Sequence, residues 1–450
     1  MPLRFRQEVQ EVLRSELLIS QKSCNEKGSV CLNLTSGVVV LCLIVFVLWG
    51  CSAASPVKTE DAADISEVSE ETESRGRPDS DVPGTLLPPA ETYGPQADEP
   101  LNASESELWQ QIVNVIGTRC QLDGALVRAA RKHASDVTAQ PAISSNASGI
   151  DYLRFALRYF GNPDYLVSPV VFDLNHSDGT QALLRTLGSR RAGEWTHCGI
   201  GVVDGRESNS AVFVAVTRLV SLGAFSSRVA PGHLLSLHGT LDAPDATGVE
   251  TFVEAPDGQV TRLKTYLVGK RQFKVDVPIG EAGKYKLEFQ VTTRSGPETA
   301  VLLPLYAGVD VPQRPSIFPD AREPETNPLQ QMTRLINRVR ENHGLRPLIR
   351  DLRLDAVAQR HCEDMASSAT FGHYSAHSGM LADRLQATGL FPRATAENIA
   401  QSNSMVRVHH NLMQSPSHKI KVLTPDFTHL GLGIVSRDGI TTVTQIFAAW

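Results

Sequence analysis

The chain has 450 residues, 41% of them hydrophobic, and its 43 Lys and Arg residues against 49 Asp and Glu residues leave a formal net charge of −6. This length predicts roughly two to four domains. The acidic balance excludes a polybasic nucleic-acid-binding protein, because such proteins bind largely by neutralising phosphates. The composition also excludes a wholly disordered chain and a membrane protein with many spans.

The first predicted segment is an export signal. Twelve uninterrupted apolar residues run from Val38 to Trp49, which is too short to cross the ~30 Å core of a membrane and is typical of a signal peptide. The stretch ends in Leu48–Cys51, which resembles the lipobox of bacterial lipoproteins. That resemblance implies a signal peptide over 1–51, with Cys51 lipidated and holding the protein to the outer membrane of the cell envelope. The alternative is an uncleaved anchor helix that continues to Ala54.

The next segment is predicted to be a tether. Between Ser52 and Pro100 there are twelve acidic residues, three basic residues and seven prolines. Such a stretch buries too little apolar surface to offset the entropy lost on ordering. We therefore expect residues 52–104 to form an acidic, Pro-rich and disordered tether that self-repels and extends.

An internal repeat organises the rest of the chain. The pattern D-x-x-L-x-x-x-A-x-x-H-x-x-D begins at Asp123 and again at Asp351, and T-H-x-G-x-G-x-V begins at Thr196 and again at Thr428. Two blocks in the same order predict duplicated modules over 105–222 and 327–450. The first block has helical periodicity and the second is rich in β-formers around a polar turn, which favours an α+β layer fold.

The region between the modules is predicted to be a β-sandwich. Apolar residues alternate with polar ones from Phe273 to Val277 and again from Tyr285 to Val291, and Pro256–Gly258 is typical of a turn between two strands. Six or seven short strands over 223–310 fit an immunoglobulin-like sandwich, which we interpret as a spacer or docking module. Residues 311–326 form a stiff, Pro-rich linker.

Three short segments in the last module carry the functional signal: Phe371–Ser375, Glu397–Ala400 and Ser415–His418. In this order and spacing they resemble the CAP or SCP family of cysteine-rich secretory proteins, antigen 5 and plant pathogenesis-related proteins, and in particular its bacterial lipoprotein members. The resemblance implies an α-β-α sandwich with a central cleft. The first module has none of the three segments, so it is interpreted as a degenerate copy.

The resemblance also implies the cleft residues. Carried over by position, the cleft would contain His373, His418 and Glu397, with Asn398 and Ser375 beside them. Several relatives bind Zn²⁺ or another divalent cation through the two histidines, and some bind sterols or fatty acids. A cation at His373 and His418 is therefore expected as an optional cofactor.

The residues themselves give a partly independent argument. Ser415 followed by Pro416 predicts a helix start that puts His418 in the first turn. The positive end of the helix dipole lowers the pKa of a histidine there, and a metal ligand must be neutral. Two His and a carboxylate would leave an open position on a metal, as in catalytic zinc sites. The alternative is a hydrogen-bonded polar cluster with a structural role only.

Catalysis has weaker support. Ser375 or Ser415 could serve as a nucleophile beside a histidine that Glu397 orients, but no nucleophile elbow or oxyanion motif is visible. Glu397 is thus a weak catalytic candidate. The leading function is non-enzymatic binding of a lipid, a glycan or a protein partner at the envelope. The alternatives are a metal-assisted hydrolase acting on peptide or cell-wall material, and a purely structural envelope protein.

Cysteine and histidine usage adds three expectations. Cys120 and Cys198 both fall in the first module and can form a disulfide in an oxidising compartment. Cys362 lies on the repeated helix and is expected to be a buried free thiol. His409, on the helix before Ser415, is expected to be partly exposed.

Overall fold

In the computed structural model, the described residues are 89–118, 120–139, 147–174, 179–189, 195–204, 209–313, 327–368 and 370–450. All of them belong to one unit of the chain, Asp79–Trp450. The predicted signal peptide, Cys51, the tether up to residue 88 and most of the Pro-rich linker lie outside these residues. Within the described ranges, no helix is both long and apolar enough to cross a membrane.

The chain first forms an α/β module over 103–216. In chain order its elements and the short strand before them are β1 (Thr92–Tyr93), α1 (Ala103–Ile116), β2 (Gln121–Leu122), α2 (Gly124–Ala139), α3 (Ala147–Tyr159), β3 (Val167–Asp173), α4 (Gly179–Ser189), β4 (His197–Asp204) and β5 (Asn209–Val216). The sheet has the order β2-β4-β5-β3, with only the β2–β4 pair parallel. Val212 and Val214 pack toward α2 and α3, whereas Phe213 packs toward α1 and α4. The strand period of two thus produces an α-β-α arrangement.

A β domain follows over 220–307. Its strands are β6 (Val220–Leu222), β7 (Phe225–Ser226), β8 (Arg228–Val229), β9 (Leu234–Leu241), β10 (Gly248–Glu254), β11 (Val260–Leu263), β12 (Thr265–Val268), β13 (Gln272–Pro278), β14 (Gly283–Thr293) and β15 (Gly296–Ala307). All of these strands except β7, which pairs with β1, form two sheets, β11-β10-β14-β15-β8 and β12-β13-β9-β6. One core, which includes Phe273, Val275, Leu287 and Phe289, lies between them. The alternation in the sequence is therefore the alternation of core-facing side chains, and the immunoglobulin-like topology remains a prediction.

The structure differs from the predicted tether near its end. β1 pairs with β7, and the ring of Tyr93 is buried in the core of the β domain. The Tyr93 hydroxyl donates to the carbonyl of Pro304 at 3.1 Å. The prediction of disorder up to residue 104 is therefore wrong from the start of this strand, because one aromatic side chain and a strand pairing hold the segment in place.

The second α/β module spans 328–449. Its elements are α5 (Pro328–Asn342), β16 (Ile349–Arg350), α6 (Leu352–Ser368), α7 (Leu381–Ala387), β17 (Ala394–Ser402), α8 (Met405–Gln414), α9 (Pro416–Val422), β18 (His429–Arg437) and β19 (Ile440–Ala449). Asn327 caps α5 by accepting from two backbone N–H groups, and Pro328 occupies the first helical position. The sheet has the order β16-β18-β19-β17, again with only the first pair parallel.

Glycine allows the repeated helix to lie against the repeated strand in both modules. A Cβ placed on Gly199 would lie 2.2 Å from the backbone of Leu126, and one on Gly431 would lie 2.4 Å from the side chain of Leu354. The second glycine of each Gly-x-Gly meets the same helix one turn later. The two sequence blocks therefore recur together because they contact each other.

Candidate functional site

His373 is held by a buried carboxylate. Its Nδ1 lies 2.8 Å from Oε1 of Glu397, at the start of β17. Nη2 of Arg384, on α7, lies 2.9 Å from both oxygens of Glu397 and also donates to the carbonyl of His373 at 3.2 Å. Burial raises the pKa of Glu397, but the hydrogen bond from His373 and the charge of Arg384 outweigh burial, so the pKa ends below its ordinary value. Glu397 is therefore a carboxylate that orients His373.

His418 lies in the first turn of α9, as predicted, and its Nδ1 is 2.6 Å from Oγ of Ser415. Burial, with the charges of Lys421 and His373, lowers the pKa of His418 well below its ordinary value. The ring is thus neutral, as expected from the sequence, although burial is the main cause. Ser415 stands at the N-cap position, but its side chain makes no capping hydrogen bond.

Two side chains join the helix that carries His418 to the strand that carries Glu397. Nδ2 of the fully buried Asn398 donates to the carbonyl of His418 at 3.2 Å. Nζ of Lys421 donates to the carbonyl of Glu397 at 3.0 Å, and burial lowers the pKa of this lysine. The structure therefore brings His373, Glu397, Asn398 and His418 into one site, which we call the histidine site.

The β domain reaches the histidine site through β14. The side chain of Glu288 is fully buried and accepts from the hydroxyls of Ser415 at 2.9 Å and Ser417 at 2.8 Å, and from the backbone N–H of Ser417 at 2.7 Å. Thr299, on β15, donates to the same carboxylate at 2.7 Å. A carboxylate of the β domain thus supplies the acceptor at the start of α9 that Ser415 was expected to provide.

The turn between β14 and β15 covers the other histidine. The backbone N–H of Tyr374 donates to the carbonyl of Ser295 at 3.0 Å. Gly296, with φ +103°, approaches so closely that an added Cβ would lie 2.8 Å from Cβ of His373. His373 is only 6% exposed. Of the two interpretations of the β domain, spacer or docking module, a spacer alone does not account for these contacts, because the domain forms one wall of the histidine site.

Ser375 is engaged outside the His373–Glu397 pair. Its hydroxyl donates to Asp364 of α6 and accepts from the backbone N–H groups of His377 and Ser378 at 3.0 Å. Nδ1 of His377 lies 2.6 Å from the same aspartate. These contacts fix the loop that follows α6. They also engage the hydroxyl of Ser375, which the sequence analysis considered as a nucleophile.

The donor set gives limited support for a metal ion. Nowhere in the described ranges do three or more His, Cys, Asp or Glu side chains form a group that could hold one. Glu397 is engaged by His373 and Arg384, which leaves the two imidazoles as the protein ligands. The ammonium group of Lys421 also lies close enough to lower the pKa of His418, and a positive charge there opposes a second cation. The site therefore offers a cation two imidazoles beside a positive charge, and the cation expected at His373 and His418 stays a prediction.

The sequence did not reveal Arg384, Glu288 or Lys421. One available signal was the apolar run from Ala300 to Leu305 on β15, because a strand with apolar side chains on both faces is buried on both faces. That run predicts a neighbour on the outer face of the β14–β15 sheet, where Glu288 lies. No comparable pattern distinguishes Arg384 from a solvent-facing residue of an amphipathic helix.

Comparison with known proteins identifies one family. Residues 333–447 match the family model CAP, described as the cysteine-rich secretory protein family. The chain is 32% identical over 114 residues to the uncharacterized protein YkwD of Bacillus subtilis, covering 25% of this chain and 44% of that protein. It is 34% identical over 112 residues to the uncharacterized membrane protein YlbC of the same organism, covering 24% and 32%. It thus spans less than half the length of either relative.

Solved structures give weaker likenesses. An outer surface protein of Borrelia burgdorferi is 21% identical, covering 28% of this chain and 93% of that chain, with a TM-score of 0.26. An extracellular protein containing an SCP domain from Bacillus anthracis is 19% identical, covering 60% and 92%, with a TM-score of 0.27. These TM-scores are too low to support a functional comparison.

Proposed function

Because residues 333–447 form a domain of the cysteine-rich secretory protein family, we propose that this protein is a non-enzymatic binding protein of the cell envelope. One observation carries the proposal. The hydroxyl of Ser415, which contacts His418, and that of Ser417 are both buried and hydrogen-bonded to Glu288. A serine nucleophile must be free to attack its substrate, and these two are committed to the contact between the domains.

The first α/β module is, in this proposal, a degenerate copy of the second. The two sheets share strand order and pairing direction, and both repeated helices carry a buried histidine, His133 and His361, whose pKa burial lowers to about 4. The sequence of the first copy has none of the three segments that carry His373, Glu397 and His418, so the proposal gives this copy the role of supporting the fold or binding a partner.

The proposed location is the envelope, with the protein held through lipid on Cys51. The support within the described residues is a disulfide between Cys120 and Cys198, since disulfides persist mainly in oxidising compartments outside the cytoplasm. Replacing Cys51 with Ser should release the chain from the membrane fraction of bacteria that express it. Retention of this variant in the membrane fraction would leave the uncleaved-anchor alternative.

A divalent cation at His373 and His418 is retained as a separate proposal, and with it the metal-assisted hydrolase. Its support is that Nδ1 of each ring has a protein partner, as in metal sites where the other ring nitrogen binds the ion. Zn²⁺ titration calorimetry on the full chain tests it, with the His373→Ala/His418→Ala variant beside it. A matched control, His233→Ala/His238→Ala, removes two exposed histidines of the β domain. Binding lost only in the first variant supports the cation, and no binding to the wild type removes it.

The binding function is tested by cosedimentation of the full chain with purified peptidoglycan sacculi and, separately, with vesicles of phosphatidylethanolamine and phosphatidylglycerol. The same preparation is assayed for release of muropeptides and for cleavage of fluorogenic ester and peptide substrates. The proposal expects retention on an envelope component without turnover. Turnover that disappears in His373→Ala/His418→Ala would instead establish the hydrolase.

A further inference from the structure

The carboxylate of Glu288 lies at the centre of a hydrogen-bond network that ends at His418. As a carboxylate, Glu288 can only accept hydrogen bonds. Its donors are Thr299 Oγ1 at 2.7 Å, the backbone N–H of Ser417 at 2.7 Å, Ser417 Oγ at 2.8 Å and Ser415 Oγ at 2.9 Å. Glu288 is therefore the acceptor in each of these bonds, because a carboxylate has no proton to donate.

Ser415 links Glu288 to the imidazole of His418 and so determines which ring nitrogen carries the proton. A serine hydroxyl has one proton, and the Ser415 oxygen lies 2.9 Å from both oxygens of Glu288 and 2.6 Å from Nδ1 of His418. When the proton is donated to Glu288, the oxygen can only accept from Nδ1. His418 is neutral and has one ring proton, so that proton lies on Nδ1 and the lone pair lies on Nε2.

The same arrangement holds at the other histidine. Nδ1 of His373 lies 2.8 Å from Glu397, which also can only accept. A neutral His373 therefore also has its lone pair on Nε2. One carboxylate comes from the same module as its histidine, whereas the other comes from the β domain and acts through a serine.

We infer that Glu288 is a positioning residue of the histidine site, which fixes the Nδ1–H tautomer of His418 through Ser415 and so makes the β domain part of the site. The inference rests on the proposed function only in taking His373 and His418 as the binding residues. It gives the site an Nε2 acceptor on His418, which suits a ligand that brings a hydrogen-bond donor.

The tautomer can be measured without any ligand, so its outcome is independent of the binding assays. The full chain is labelled with ¹⁵N-histidine, and the imidazole nitrogen shifts are recorded near neutral pH, with His418 assigned from the His418→Gln variant. The wild type is expected to show His418 almost entirely as the Nδ1–H form. A predominant Nε2–H form in the wild type would overturn the inference.

Glu288→Gln is the decisive variant. The amide oxygen is expected to face the backbone N–H of Ser417, and the NH₂ group then takes the place of the other oxygen beside Ser415. When this NH₂ group donates to Ser415, Ser415 donates to Nδ1 of His418, so the fraction of the Nε2–H form should rise. Glu254→Gln is the control, because Glu254 lies on the neighbouring strand β10 and pairs with Lys419 at 3.1 Å, also across to α9. It should leave the tautomer unchanged.

A merely structural role for Glu288 predicts a loss of stability in Glu288→Gln without a change of tautomer in the folded fraction, and that result would overturn the inference. If Glu288→Gln does not fold, Ser415→Ala provides the test, since it removes the atom that links the two groups. The inference expects a mixed tautomer in that variant. An unchanged Nδ1–H form would contradict it.

Discussion

Arg384 donates to the carboxylate of Glu397 at 2.9 Å, although both side chains are almost fully buried. Neither charge is screened by water, so removing Arg384 leaves the buried carboxylate with only the hydrogen bond from His373. Such a loss typically costs about 3–5 kcal/mol. Arg384→Ala should therefore lower the free energy of unfolding by about that amount, measured by urea denaturation.

The control for this prediction is Arg353→Ala. Arg353 pairs with Asp351 at 2.7 Å, but its side chain is 63% exposed, and exposed pairs contribute only about 0–1 kcal/mol. Equal losses in the two variants would mean that burial does not distinguish the two pairs.

The pH dependence of stability should come in part from His409. Burial lowers the pKa of this histidine to about 4, whereas an unfolded histidine titrates near ~6.5. The unfolded chain therefore binds the proton first as the pH falls. The contribution of His409 to the free energy of unfolding is complete above pH ~6.5 and is lost as the pH drops toward 4. The loss between pH 7 and pH 5 is about 2 kcal/mol.

His409→Gln should remove that part of the pH dependence, so the difference in unfolding free energy between pH 7 and pH 5 should shrink relative to the wild type. His343→Gln, which replaces an exposed histidine, should leave the difference unchanged. The prediction fails if both variants match the wild type.

The repeat was visible in the sequence because a close packing contact requires glycine at fixed positions. Only glycine fits where β4 and β18 meet the repeated helices, so the Gly-x-Gly pairs and the helical blocks recur together. Alternation likewise revealed the core-facing residues of β13 and β14. Both signals are local, since each reports the neighbours of a single element.

Contacts between domains produced no such recognisable pattern in the sequence. Glu288 alternates with the core residues Leu287 and Phe289, so by pattern it faces solvent, yet it is buried because α9 packs over it. His409 was expected to be partly exposed and is only 9% exposed. Its helix also carries Arg407, which pairs with Asp151 of the first module. The sequence specifies each face, but only the fold shows what covers it.

The fit of the repeated helix against β18 can be tested at Gly433. A Cβ there would lie 2.2 Å from the carbonyl oxygen of Ala358, and a backbone oxygen cannot move aside as a flexible side chain can. Overpacking of this kind costs about 1–3 kcal/mol or more, so Gly433→Ala should lower the melting temperature clearly. Gly248→Ala should change it little, because a Cβ at Gly248 meets open space.

The disulfide should contribute to the stability of the first module. It joins Cys120 to Cys198 across 78 residues of sequence, and removing a native disulfide typically costs about 2–5 kcal/mol. The double variant Cys120→Ala/Cys198→Ala should unfold at lower urea, and non-reducing peptide mapping of the wild type should recover the two cysteines in one linked fragment. Recovery of both as free thiols would contradict the bond.

The contact between the β domain and the second module makes a final prediction about stability. Glu288→Ala leaves the hydroxyls of Ser415 and Ser417 and one backbone N–H without their acceptor in a buried place, and each unmet buried group costs about 1–3 kcal/mol.

The variant should therefore lower the unfolding free energy by several times as much as the control Glu250→Ala, because the ion pair of Glu250 with Arg262 lies at the surface. Hydrogen exchange should then rise in α9 and β14 together, since each element satisfies polar groups of the other. A rise confined to β14 would mean that α9 keeps its start without the carboxylate, and the β domain would then be a neighbour of the histidine site rather than one of its walls.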